Sequence, residues 1–136
     1  MIRIMLWALV APLAVAATLC STPYAEAADR FGVIGIENST DVTIRLEHRW
    51  GNGPWNLDVL GPGHRKWYWH TYAFANEDKS PPFHVRFDSD LSPGRFMERY
   101  ALTLYRAPAH EWSNAHKYIF RYEAGRRFIE LYDEKK

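Results

Sequence analysis

Apolar side chains recur at every second position in stretch after stretch of this chain, and no stretch has a matching helical period. Val42, Ile44 and Leu46 point one way while Thr43, Arg45, Glu47 and Arg49 point the other. The same alternation sets Phe83, Val85 and Phe87 against His84, Arg86 and Asp88. It returns as Tyr100, Leu102 and Leu104 within 97–106, and as Tyr118, Phe120 and Tyr122 within 117–123. A period of two places successive side chains on opposite faces of an extended chain, so each stretch is a strand with a face to bury. Between them lie clusters that favour turns, among them Asn38-Ser39-Thr40-Asp41, Gly61-Pro62-Gly63 and Ala124-Gly125-Arg126. The pattern predicts one all-β domain, an antiparallel β-sandwich of about seven to eight short strands.

In order, residues 32–37 read as a first strand, paired as a hairpin to 42–50 through the Asn-Ser-Thr-Asp turn. Residues 56–60 form the third strand, with Leu57 and Val59 expected to face inward. Residues 83–88, 97–106, 117–123 and 127–133 complete the set, and 108–116 is irregular, with room for one helical turn. The stretch 65–72 stands apart. Period two places Trp67, Trp69 and Thr71 on one face and Tyr68, His70 and Tyr72 on the other. Both faces are aromatic, which a half-buried strand does not require. The strand is therefore covered on both sides, or its second face meets something.

The first residues are not part of this fold. Arg3 precedes an uncharged apolar run over 4–19, and Ala25-Glu26-Ala27 is a small-x-small cleavage site. Residues 1–27 are read as a cleaved secretory signal peptide and 28–136 as the sandwich domain, secreted or periplasmic. A run of 16 residues spans roughly 24 Å, short of a hydrocarbon core of roughly 30 Å, so stable membrane insertion is not expected. Lipidation of Cys20 is the competing reading, but Leu19 is bulky where a lipoprotein signal needs a small residue. Without Cys20 the remaining chain has no cysteine and relies on its core alone.

Four segments resemble an uncharacterised family of small exported bacterial β-domains: Asn38-Ser39-Thr40-Asp41, Leu60-Gly61-Pro62-Gly63, the run from Val85 to Asp90, and the run from Lys117 to Tyr122. The resemblance implies the β fold and no activity.

Charge narrows the partners. The chain has 17 basic and 16 acidic residues, a net charge of +1, with the signs interspersed. Such a balance argues against nucleic acid as partner. No Gly-x-Ser-x-Gly elbow and no nucleophilic cysteine is present, no cofactor signature appears, and none of the six histidines is spaced His-x-x-x-His. Asp88-Ser89-Asp90 sets two carboxylates about a hydroxyl, and Asp88 and Asp90 are candidate Ca²⁺ ligands. The competing reading is an aspartate turn, since calcium requires roughly six to eight oxygens. A small hydrolase or metal-binding domain using the row His84, Arg86, Asp88 and Asp90 is the catalytic alternative, with His84 as general base.

Aromatics supply the main lead, at 15% of the chain with six tryptophans. Rings left exposed on a β-sandwich can stack on sugars or anchor a protein. The candidates are Trp50 and Trp55 beside the glycine turn, Tyr68, His70 and Tyr72 on the second face, and Trp112 in the late loop. Against this stands the need of a disulfide-free domain for large core residues. The expected function is a non-catalytic binding or structural module for a glycan or protein surface, with edge strands able to form a homodimer.

Overall fold

A computed structural model describes residues 29–74, 76–77 and 79–135. Residues 1–27, read from the sequence as a signal peptide, lie outside the described residues, and Cys20 with them. Among the described residues, nine strands form two sheets: β1 (Phe31–Asn38), β2 (Ile44–Trp50), β3 (Asn56–Leu60), β4 (Arg65–Thr71), β5 (Phe83–Asp88), β6 (Met97–Leu102), β7 (Tyr105–Ala107), β8 (His116–Glu123) and β9 (Phe128–Asp133). One sheet runs β4-β1-β8-β9 and the other β3-β2-β5-β6. β7 shares a flank of β1 with β8, pairing antiparallel to Phe31–Val33 where β8 runs parallel to Ile34–Asn38. The expected sandwich is what forms. A single 3-10 turn (Trp112–Asn114) lies within the segment expected to be irregular. Among the described residues, no helix is long and apolar enough to cross a membrane.

The alternation places the core. Ile34 and Ile36 of one sheet face Leu46, Phe83, Val85 and Phe87 of the other, with Phe120 and Ile129 completing the layer. Phe87 meets Phe120 edge to face at 4.9 Å, a favoured aromatic geometry that joins the sheets. The outer face of the β1 sheet carries a second, smaller cluster of Val33, Ala107 and Ala115, packed by Phe31. There Trp112 lies against Gly35, where a Cβ would fall 2.5 Å from the indole. Only a residue without a side chain admits that approach.

Three expectations about strand placement are corrected. β1 and β2 do not pair as a hairpin; they belong to different sheets, and the Asn-Ser-Thr-Asp segment is the arch between them. Leu57 and Val59 point outward, 51% and 54% exposed. Pairing fixes this: Leu60 lies opposite Ile44 and Asp58 opposite Leu46, so the even positions of β3 face the core. The stretch 97–106 is two strands, because the chain leaves one sheet after Leu102 and enters the other at Tyr105. Thr103 secures that crossing. Its Oγ1 lies 2.9 Å from His116 Nδ1, and its N–H donates to the Tyr118 hydroxyl at 3.0 Å. His116 Nε2 in turn meets Asp133 Oδ2 at 2.9 Å.

Asn38 joins two arches. It is fully buried, and its Nδ2 lies 2.7, 3.0 and 3.1 Å from the carbonyl oxygens of Val42, Leu60 and Gly61. Its Oδ1 accepts from the Thr40 amide and hydroxyl at 2.9 and 2.6 Å. One side chain thus serves the β1–β2 arch and the end of β3 together. Asn38→Ala should cost roughly 2–4 kcal/mol in urea unfolding, because one buried and two partly buried carbonyls lose their donor. Asn38→Asp keeps the Thr40 acceptor but removes the donors, and should be no milder. A loss under about 1 kcal/mol in both would refute this role.

Candidate functional site

Among the described residues, β4 is an edge strand paired only with β1. Its register sets Tyr68 opposite Ile34 and Lys66 opposite Ile36, so the even positions face into the sandwich. The expected second face is therefore the interior one. Tyr68 and Tyr72 are buried at 7% and 4%, while Trp67 and Trp69 are 36% and 42% exposed. The binding candidates on β4 thus exchange faces. Alternation alone could not tell them apart, because both faces are aromatic.

Inside this edge a polar cluster links three strands. The Tyr68 hydroxyl donates to Asp58 Oδ2 at 2.7 Å, His48 Nε2 lies 2.8 Å from the same oxygen, and Lys66 pairs with Oδ1. Asp58 faces inward because all these donors satisfy it. Burial alone would raise its carboxyl, but the hydrogen bonds from Lys66 and Tyr68 outweigh that and hold it below the ordinary value. Burial, followed by the Asp58 carboxylate, pushes the Tyr68 hydroxyl well up.

Outside the cluster is an open cleft of about 300 Å³ lined by His48, Trp50, Lys66, Trp67, Tyr68 and Trp69. Trp50 forms its inner wall, packing on Phe83 at 4.7 Å and near His70 at 6.0 Å. The two exposed indoles are held by the late loop. Trp69 stacks on His110 at 4.0 Å, and Trp67 Nε1 donates to the His110 carbonyl at 3.0 Å. No local pattern in the sequence ties His110 to β4, since it lies far from that strand along the chain.

The other candidates lie elsewhere. Trp55 stands on the outer face of the β2 sheet, with the guanidiniums of Arg86, Arg49 and Arg99 at 4.1, 4.5 and 5.4 Å from its ring. Trp112 covers Gly35 between Arg65 and Lys117. Tyr72 is interior, under the Arg106 guanidinium. The row from His84 does not converge: Arg86 pairs with Glu47, and Asp88 Oδ1 accepts from the amides of Asp90 and Phe96. Asp90 Oδ1 accepts from Ser92, and both of its oxygens meet Arg127. Those contacts, the Arg127 bond foremost, hold the Asp90 carboxyl far below the ordinary range. This is aspartate-turn chemistry. Among the described residues, no three histidine, cysteine, aspartate or glutamate side chains gather where they could hold a metal ion.

The chain matches no known family model, no curated protein and no solved structure. Its chemistry has to be read from its own side chains.

Two of those side chains set a pH response. Burial holds His48 below the ordinary histidine value of 6.5. Burial, then the charges of Arg99 and Arg49, does the same for His84. In the unfolded chain both take up protons more readily, so folding favours their neutral forms. The stability they contribute is complete above pH 6.5 and is lost as pH falls below it. The urea midpoint should therefore drop between about pH 7.5 and 5, and His84→Gln should flatten that drop. An unchanged slope in this variant would remove His84 as a contributor.

Proposed function

We propose that this is an exported, non-catalytic binding domain that takes a carbohydrate chain along the β4 edge. The observation that carries the reading is the pair Trp67 and Trp69, exposed on one face of an edge strand beside the cleft. Positions two apart on a strand are separated by roughly 6.6–6.8 Å, close enough for neighbouring sugar rings to meet both plates. Indole faces suit the C–H faces of sugars, while Lys66 and the rim of the cleft offer polar partners for hydroxyls. His110 supports the reading too, because rings already fixed lose little freedom on binding. The apolar run at 4–19 and the Ala25-Glu26-Ala27 site support export.

Retention of the purified protein on insoluble neutral polysaccharides, followed by tryptophan fluorescence, tests the reading. Binding should shift the emission, and Trp67→Ala or Trp69→Ala should weaken it by about tenfold, the scale of one lost stacking contact. Both side chains are partly exposed, so the variants should stay folded. No retention on any matrix, or equal retention by both variants, would refute the proposal.

A further inference from the structure

The outer face of the β2 sheet carries charges that work against the free protein. Arg86 and Arg99 stand directly opposite each other on β5 and β6. Like charges placed so destabilise an antiparallel pair. Arg49 lies close by on β2, opposite His84. All three guanidiniums gather on the Trp55 ring, whose electron-rich face offsets part of their repulsion. Glu47 answers Arg86. Among the described residues, no carboxylate pairs with Arg49 or Arg99. Two buried atoms in the same place, Arg49 Nε and His84 Nδ1, have no hydrogen-bond partner. Native proteins seldom leave such atoms unpaired.

Arg86 also borders a groove of about 570 Å³ on this face, whose walls include Arg45, Arg95, Leu57 and Met97. Five arginines therefore lie along one surface. The acids beside them, Glu47 and Asp88, are already engaged with Arg86 and with backbone amides. Leu57 and Met97 add exposed apolar surface at 51% and 45%.

We propose that this face binds an acidic polysaccharide, with its carboxylates on Arg49 and Arg99 and its chain running past Arg86 towards Arg45 and Arg95. Guanidinium forks match carboxylates in geometry as well as charge. Leu57 and Met97 suit the apolar edges of sugar rings. A single-stranded nucleic acid would need free aromatic plates for its bases, and the Trp55 ring is already taken by guanidiniums. The site is independent of the β4 edge, which belongs to the other sheet.

Binding to polygalacturonate, a polyuronate, tests this, with single-stranded oligothymidylate as the competing polyanion. The protein should bind polygalacturonate at about 0.05 M salt and release it by about 0.5 M. The double variant Arg49→Gln, Arg99→Gln should weaken binding by about tenfold or more. Its urea midpoint should hold or rise, because it relieves repulsion. No binding at low salt, undiminished binding by the double variant, or tighter binding of oligothymidylate would each overturn the assignment.

Discussion

The buried side chain of Asn38 is the constraint on which the sandwich depends. A β-sandwich must turn its chain from one sheet to the other, and each arch leaves backbone carbonyls turned away from a ladder. Here one amide meets the carbonyls of Val42, Leu60 and Gly61 while it accepts from Thr40. The backbone around it is tied as well: the Asn38 N–H donates to the His64 carbonyl and its own carbonyl accepts from Gly63. The β1–β2 arch and the β3–β4 turn are thereby one unit. Their common anchor sets where β3 ends, and so which of its residues face inward.

That parity explains both what was legible in the sequence and what was not. Residues 83–88 alternate without ambiguity, and Phe83, Val85 and Phe87 are buried as their spacing requires. β3 offers two apolar residues at odd positions, so Leu57 and Val59 suggest the wrong inner face. The pairing to β2 overrides them, because Leu60 is needed in the core and Asp58 finds donors there. Those donors come from β2 and β4, and no local pattern announces them. Likewise the alternation of 97–106 continues through Thr103 without a break. The change of sheet there depends on distant partners, Tyr118 and His116.

The candidate surfaces show the same division. Trp55 was visible as a candidate from composition and its turn, yet Arg49, Arg86 and Arg99 come from three different strands and converge only through registration. Trp67 and Trp69 were visible as alternating rings, but the choice of face belongs to β1, whose Ile34 and Ile36 claim the even side of β4. Pattern locates the strands and their aromatic surplus. Long-range pairing decides which of those side chains water reaches.

The place of β1 has a consequence for how the domain comes into being. The first strand lies inside its sheet, and the flank beyond β4 is completed only by β7 and β8 near the other end of the chain. The parallel partner of Ile36 is Tyr118. A chain emerging from its N-terminus therefore cannot close this sheet until nearly all of it is available. Closing so long a loop is slow, and until then Val33, Ile34 and Ile36 remain open to other strands. The order of strands delays closure of this sheet, though not pairing within the other one, to the end of synthesis.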